Sequence, residues 1–218
     1  MTQRRPPGTS LRLVRNLFIT FEGTEGAGKS TLIRALADKL RESVPGREVL
    51  VTREPGGVAV AESIREILLR DSMDPLTELL LYEAARAEHV EKVIRPALKA
   101  GKIVLCDRYT DSSLAYQGWA RGLGFALVLK ANRVATRGLQ PTLTFFLDVD
   151  PAVGLARAKD ANRFEAEGVE FQKKVRQGFL KAALLKPARW ARLKVDGRTP
   201  EQLREAAWKR LKKLSSHV

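Results

Sequence analysis

The sequence has one cysteine among its 218 residues, so no disulfide can form within the chain. That residue, Cys106, stands in an apolar run typical of a buried strand. No run approaches the ~20 apolar residues that a membrane-spanning helix needs. The first 16 residues also lack the apolar stretch of a secretory signal. These absences favour a protein of the reducing cytoplasm that does not associate with membranes.

The sequence has fewer acidic than basic residues, with 25 aspartates and glutamates against 39 lysines and arginines, so its net charge is +14. Residues 1–16 contain four arginines and no acid. A transit peptide is harder to exclude there than a secretory signal, but the segment contains proline and glycine and is not amphipathic. We therefore expect a basic, disordered extension. A basic surface attracts nucleic acid nonspecifically, but no base-reading motif accompanies it, so no specific nucleic-acid partner is expected.

Apolar, β-rich runs alternate with helical patterns, and 44% of the residues are hydrophobic, which suits one domain over residues 17–218. The first, third and fourth runs are almost continuously apolar, as in strands buried on both faces of a parallel sheet. The fold class is therefore α/β, with ligands bound at the carboxyl ends of the strands. Five strands are predicted, at residues 17–22, 48–52, 103–107, 143–148 and 192–195.

Three helix starts carry a recognisable cap. Asp74-Pro75 opens a long helical pattern that Gly101 closes, and Asp150-Pro151 opens another. Thr199-Pro200-Glu201-Gln202 is typical of a capping box with proline at the first helical position. We expect a helix to begin at each of these points.

The most informative stretch has the spacing G-x-x-x-x-G-K-S, between an apolar strand pattern and a helical one, which is the context this motif requires. Its glycines let backbone N–H groups point at a phosphate, and the following helix adds its positive end. Lys29 would place a charge on the outer phosphates, and the Ser30 hydroxyl is the expected Mg²⁺ ligand. The predicted nucleoside triphosphate site consists of Gly23, Thr24, Glu25, Gly26, Ala27, Gly28, Lys29, Ser30 and Thr31.

Polar residues also follow the second and third strands. Arg53 would reach the sheet edge beside the phosphate loop, where it either contacts a phosphate or stays in solvent as a turn residue. Asp107 could hold Mg²⁺ through water, and Arg108 could bridge two phosphoryl groups. The alternative is a buried structural pair between Asp107 and Arg108.

Two helical pairs could contact a base. Tyr82 and Arg86 lie four apart and would share a helix face, so the ring could stack on a base and the guanidinium could reach its edge. Taken alone, Tyr82 is more typical of a half-buried core aromatic. Ser113 and Tyr116 would share a face in the same way. A basic, poorly patterned stretch at about 157–168 is either a mobile lid or a solvated loop.

In combination these motifs resemble the bacterial thymidylate kinase family. The matching segments are FEGTEGAGKST at 21–31, TREPGG at 52–57, LLYEAAR at 80–86, DRYTDSSLAYQG at 107–118 and LDVDPAVGLARA at 147–158. The resemblance implies the nucleoside monophosphate kinase fold, a five-stranded parallel sheet surrounded by helices. It also implies direct transfer of a phosphoryl group from ATP to dTMP with Mg²⁺, and a homodimer.

The resemblance assigns roles to matching residues. Glu25 would contact the sugar 3′-hydroxyl, and Tyr116 would lie near the 2′ position. The remaining dTMP residues would be Arg53 and Arg108 at the phosphate, Tyr82 stacked on thymine, Arg86 at the base O4, and Ser113 and Gln117 near the base. Because Gly26 and Ala27 stand where some members carry an arginine, the catalytic set would be Lys29, Arg53, Arg108 and the lid arginines Arg157 and Arg163. Ser30 and Asp107 would hold the metal.

Three other functions stay open at this point. The protein could phosphorylate another nucleoside monophosphate, and a panel of acceptors would distinguish this. A P-loop ATPase acting on nucleic acid would show DNA-stimulated hydrolysis with no acceptor. A nucleotide-binding regulator without catalysis is disfavoured by the intact Lys29, Ser30, Asp107 and Arg108.

Overall fold

The computed structural model describes residues 16–157 and 163–215. The basic extension predicted at residues 1–16 therefore lies outside the described residues except for Asn16, as does the centre of the predicted lid, residues 158–162. Within the described ranges, no helix has the length and apolar character needed to cross a membrane.

Five parallel strands form one sheet in the order β2-β3-β1-β4-β5, which confirms the predicted fold class. The three central strands are buried along almost their whole length, as their apolar sequences predict, while β2 and β5 at the edges alternate in exposure. The prediction was wrong at the start of the fifth strand, which begins at Trp190 rather than Arg192. The strands are β1 Phe18–Glu22, β2 Val49–Arg53, β3 Ile103–Asp107, β4 Leu143–Asp148 and β5 Trp190–Lys194.

Helices connect the strands and cover both faces of the sheet. Two stretches have π-helical hydrogen bonding, at Val90–Ile94 and at Leu114–Ala120, and a 3₁₀ turn covers Pro187–Arg189. The helices are α1 Lys29–Ser43, α2 Ala59–Arg70, α3 Pro75–His89, α4 Arg95–Lys99, α5 Thr110–Ser113, α6 Phe125–Thr136, α7 Pro151–Arg157, α8 Arg163–Ala166, α9 Gly168–Leu185 and α10 Pro200–Ser215.

The three predicted helix starts are confirmed by their caps. The Asp74 carboxylate accepts the Leu76 N–H at 2.8 Å at the start of α3. The Asp150 carboxylate accepts the Ala152 N–H at 2.9 Å at the start of α7. The capping box of α10 makes both of its bonds, from Thr199 N–H to Gln202 Oε1 and from Gln202 N–H to Thr199 Oγ1, at 3.0 and 3.3 Å.

The hydrophobic core lies on both faces of the sheet. On one face, α1 and α10 pack against β1 and β4, and the apolar residues of the inner side of α1 are all buried there, namely Leu32, Ile33, Leu36, Ala37 and Leu40. On the other face, α9 and the π-helical turn Leu114–Ala120 pack together. The amino end of α1 and the end of β3 consequently meet at the carboxyl edge of the sheet, where ligands bind in this class of fold.

Candidate active site

The loop between β1 and α1 has the backbone that its glycines predict. Gly23, Gly26 and Gly28 all have positive φ, and a Cβ on Gly26 would overlap with the carbonyl oxygen of Gly154 in α7. The Lys29 ammonium donates to the carbonyl oxygens of Gly23 and Thr24, at 3.2 and 3.0 Å. Burial and the nearby charge of Arg108 lower the pKa of Lys29. The loop is thus a closed turn with its lysine buried beneath it.

Ser30 and Asp107 meet at the start of α1, as a shared metal site requires. β1 and β3 are neighbours in register, with Phe21 opposite Asp107, so the end of β3 lies beside the phosphate loop. The Ser30 hydroxyl donates to Asp107 Oδ2 at 3.0 Å. A hydroxyl and a carboxylate are oxygen ligands of the kind that Mg²⁺ prefers. These two residues could therefore hold the ion, directly or through water.

Arg108 joins the phosphate loop to the next cavity. Its backbone is left-handed, with φ of 67°, and its Nη2 donates to Glu25 Oε1 at 2.6 Å while Nη1 donates to the Gly23 carbonyl oxygen at 2.9 Å. The Tyr116 hydroxyl also donates to Glu25, at 3.2 Å. Although burial opposes it, the charges of Arg108 and Lys29 hold the pKa of Glu25 below its ordinary value. The carboxylate partner of Arg108 is therefore Glu25 rather than Asp107.

A cavity opens beside this arrangement, between the phosphate loop, α2, α3 and the segment after β3. It brings together all of the predicted dTMP residues except Arg53 and Arg86. Tyr82 forms one side of it and contacts Phe164, with ring centroids 6.4 Å apart, and Phe164 meets Tyr116 edge-on at 5.7 Å. The lining residues are Glu25, Glu54, Pro55, Arg65, Leu69, Tyr82, Arg108, Ser112, Ser113, Tyr116, Gln117 and Phe164.

Arg86 lies behind the cavity wall and, unlike Tyr82, does not line the cavity. Its side chain is 2% exposed. Two buried carboxylates hold it, with Nε 2.7 Å from Glu54 and Nη1 2.6 Å from Glu83, and Nη1 also donates to Asn132 at 2.7 Å. An arginine turned inward in this way neutralises charge that would otherwise be buried without a partner.

Arg53 is the last residue of β2, at the sheet edge as predicted, but it does not line the cavity. Its exposed guanidinium pairs with the Glu62 carboxylate at 2.9 Å. The same carboxylate accepts the Gly57 N–H at 2.8 Å and so closes the turn after β2. In this structure Arg53 is thus an exposed arginine that supports the turn, and its contact with a phosphate stays a prediction.

The sequence analysis did not assign three charged residues, Glu54, Arg65 and Glu78, to the site. Arg65 lines the cavity and donates to the Pro55 carbonyl oxygen at 3.1 Å. Burial, and then the charge of Arg53, lower its pKa. Glu78 is buried below the cavity, where its carboxylate accepts from Gln117 at 2.7 Å. In the sequence, the one feature that points to Arg65 is its position four residues before Leu69, on the same face of a helix. This spacing is common on any helix, so it does not predict a site.

The two lid arginines lie in different places. The Arg163 guanidinium pairs with Glu78 at 2.8 Å and donates to the Leu68 carbonyl oxygen at 3.2 Å. Arg157, at the end of α7, lines a groove of about 360 Å³ beside the phosphate loop. That groove also includes Gly28, Thr31 and Arg198. Of the two, Arg157 is therefore the one beside the nucleotide loop.

Glu54, His89 and Cys106 bring three atoms of metal-ligand type within 4.8 Å of one another, in the buried layer behind the cavity. His89 already contacts Thr52 Oγ1 at 2.7 Å and Glu54 at 3.1 Å. Burial raises the pKa of the Cys106 thiol well above its ordinary value, so the thiolate that a metal needs is disfavoured. We interpret this group as a hydrogen-bonded support for the site.

Comparisons with known proteins agree on one family. The family model described as thymidylate kinase matches residues 21–206. The chain is 51% identical over 193 residues to the thymidylate kinase of Synechococcus sp. strain JA-2-3B'a(2-13), covering 88% of this chain and 92% of that protein. It is 50% identical to that of Geotalea uraniireducens over 202 residues, covering 87% and 93%. The crystal structure of thymidylate kinase from Ehrlichia chaffeensis superposes with a TM-score of 0.76 at 35% identity, covering 91% of this chain and all of that one.

Proposed function

Since this chain belongs to the thymidylate kinase family, whose members transfer a phosphoryl group from ATP to dTMP with Mg²⁺, we propose that the cavity beside the phosphate loop is its dTMP site. One observation carries the proposal. Glu25 belongs to both the phosphate loop and the cavity lining, and Arg108, which also lines the cavity, donates to Glu25 and to the Gly23 carbonyl oxygen of the loop. An acceptor phosphate held by Arg108 would therefore lie next to the outer phosphates of ATP. A kinase for another monophosphate and a nucleic-acid-stimulated ATPase are not favoured.

Catalysis would come from alignment and charge neutralisation. The acceptor is already a phosphate oxyanion, so transfer can be direct and in line and needs no strong base. Lys29 would leave its carbonyl partners for the outer phosphates, and Arg108 would hold the two reacting phosphoryl groups together. When bound between Ser30 and Asp107, Mg²⁺ would neutralise charge on the ATP phosphates.

The base would lie between Tyr82 and Phe164, with its polar edge toward Gln117. The Gln117 amide group donates to Glu78, so its carbonyl oxygen remains to accept the N3–H of thymine. Glu25 would accept from the sugar 3′-hydroxyl, and Tyr116 would crowd the 2′ position. We assign Arg86 to positioning, because its contacts with Glu54 and Glu83 would have to break before it reached the base O4.

The two lid arginines would have different roles. Arg157 is the candidate to neutralise charge on the transferred group, because it already lines the nucleotide groove. Arg163 would take that role only if its pair with Glu78 opened. The stretch between them, with Lys159, lies outside the described residues, and lid closure over ATP remains a proposal.

We also propose a homodimer. α2 packs on α3, and α3 packs on α6, and all three helices expose apolar side chains. Ile67 on α2, Leu80 on α3 and Val134 on α6 are 39%, 57% and 79% exposed. Joining such surfaces across a two-fold axis would remove them from water. A cytoplasmic location remains a proposal that rests on the lone cysteine.

A coupled assay of ADP release tests the function, with Mg-ATP and dTMP, dUMP, UMP, CMP, GMP or AMP as acceptor. Strong turnover with dTMP, weaker turnover with dUMP and none with the others is the expected result. Turnover confined to another monophosphate would discard the thymine site. Hydrolysis that DNA stimulates and no acceptor changes would overturn the kinase function.

A further inference from the structure

A second cavity lies on the far side of the segment that carries the dTMP residues. Its volume is about 420 Å³, and it lies between α6, the end of α9 and the segment after β3. A volume of that order is typical of small-molecule sites, roughly 300–1,000 Å³. Its lining shares no residue with the proposed dTMP cavity.

The charge of this cavity is positive. Asp111 lines it, but its carboxylate is neutralised by Arg189, whose guanidinium makes two bonds to it at 2.6 and 2.8 Å. The other charged lining residues are Arg133 and Lys186. In the part of the chain that the structure describes, neither has a carboxylate partner. The pair therefore offers two cations to an anionic group.

The mouth of this second cavity also carries apolar residues. Leu129 and Leu185 line the cavity and are 45% and 50% exposed. Leu129 and Arg133, four apart, lie on a different side of α6 from Val134, because a helix turns by about 100° per residue. The cavity therefore does not belong to the surface proposed for dimerisation.

The two cavities are connected through one short helical segment. Thr110, Asp111 and Leu114 face the second cavity, while Ser113 and Gln117 face the first. Asn132 also lines the second cavity, donates to the Thr110 carbonyl oxygen at 3.2 Å, and accepts from the buried Arg86 at 2.7 Å. A molecule in the second cavity would therefore contact the residues that position the dTMP site.

We propose that this cavity is a second small-molecule site, which takes an organic anion with an apolar body, and that its occupant changes the affinity for dTMP. The anionic group would contact Arg133 and Lys186, and the body would cover Leu129 and Leu185. The claim about dTMP affinity rests on the dTMP site proposed above. Failure of that site would appear as no dTMP binding, whereas failure of this claim leaves dTMP binding intact.

The test uses 8-anilino-1-naphthalenesulfonate, a fluorescent organic anion, titrated into the full chain with saturating dTMP and a non-hydrolysable ATP analogue. We expect saturable binding at one site. The variant R133E/K186E should lower the affinity at least about tenfold, the loss expected for a charged contact. Lys130→Glu is the matched control, because Lys130 is exposed on the same helix but does not line the cavity, and it should bind normally. N-phenyl-1-naphthylamine, which lacks only the sulfonate, should bind weakly.

The second measurement is the KM for dTMP with and without saturating dye. We expect a change in the unmodified chain and none in R133E/K186E, with kcat in the absence of dye alike in both. The proposed site would be overturned if Lys130→Glu lost as much dye affinity as R133E/K186E, or if the nucleotides displaced the dye completely. It would also be overturned if the uncharged analogue bound as tightly as the dye. Dye binding that leaves the KM for dTMP unchanged would overturn the coupling.

Leu129→Trp, which fills the mouth of the cavity, checks the site without changing charge and should also exclude the dye.

Discussion

Glu22 is the buried group through which pH should act most strongly on this fold. It ends β1 and is fully buried, where one carboxylate oxygen accepts the Tyr109 N–H at 2.8 Å and the other contacts the Ser112 hydroxyl. Burial and the nearby charge of Asp111 raise its pKa from 4.5 to about 8. The carboxyl group therefore holds the turn that carries Arg108, and it does so in the protonated form at neutral pH.

The sign of the effect follows from this raised pKa. Between about pH 4.5 and 8 the folded state holds a proton at Glu22 that the unfolded chain has released, so the free energy of unfolding falls as pH rises. One proton corresponds to about 1.4 kcal/mol per pH unit at most. Glu22→Gln keeps the shape and both hydrogen bonds but cannot ionise, so its stability should lack this contribution to the pH dependence.

The assay is urea denaturation of both proteins at several pH values. The free energy of unfolding of Glu22→Gln relative to the unmodified chain should rise by about 1.4 kcal/mol from about pH 6 to pH 7, and level off above about pH 8. Titrating groups that do not interact with Glu22 cancel in this difference. Glu25→Gln is the control with the opposite sign, because the pKa of Glu25 is lowered and its contribution is lost only in acid. Parallel pH profiles for Glu22→Gln and the unmodified chain would refute the reasoning.

Four further changes test other parts of the account. Lys29→Ala should abolish turnover in the ADP-release assay without changing the circular dichroism spectrum, and near-normal turnover would contradict the role of the loop. Gly154→Ala would place a Cβ 2.5 Å from the Glu25 carbonyl oxygen, so it should weaken ATP binding in calorimetry, whereas unchanged binding would contradict this packing. Arg86→Met leaves two carboxylates buried without their partner and should cost about 3–5 kcal/mol of unfolding free energy, measured in urea. Leu80→Glu should shift the particle from dimer to monomer in light scattering, and an unchanged mass would discard the proposed interface.

Local rules predicted most of the fold. The apolar runs located the central strands, because a strand buried on both faces needs an apolar side chain at nearly every position. The caps at Asp74, Asp150 and Thr199 located helix starts, because each bond is made within three residues. The edge strand β5 was placed less well. Arg189 comes directly before the strand and Arg192 lies within it, and the pairing of these charges with acids elsewhere in the chain has no local signal.

The sequence predicts those site residues whose place depends only on where a strand ends. It does not predict contacts whose partners are far apart along the chain. The phosphate loop and Asp107 follow from strand ends alone. The inward turn of Arg86 depends on Glu54, 32 residues away, and the contact of Arg108 with Glu25 spans 83 residues. Arg65 has no distinguishing mark on its helix. Such pairings become visible only when the fold brings the elements together.

The most direct test of the central claim is a crystal structure of the full chain with dTMP and a non-hydrolysable ATP analogue. The account predicts thymine against Tyr82 and Phe164, and the dTMP phosphate within hydrogen-bond distance, about 3 Å, of the Arg108 guanidinium. It also predicts the outer ATP phosphates at Lys29, with their Mg²⁺ beside Ser30 and Asp107. A dTMP molecule bound elsewhere, or one whose phosphate lies away from Arg108, would contradict the shared role of Arg108 and Glu25 on which the account rests.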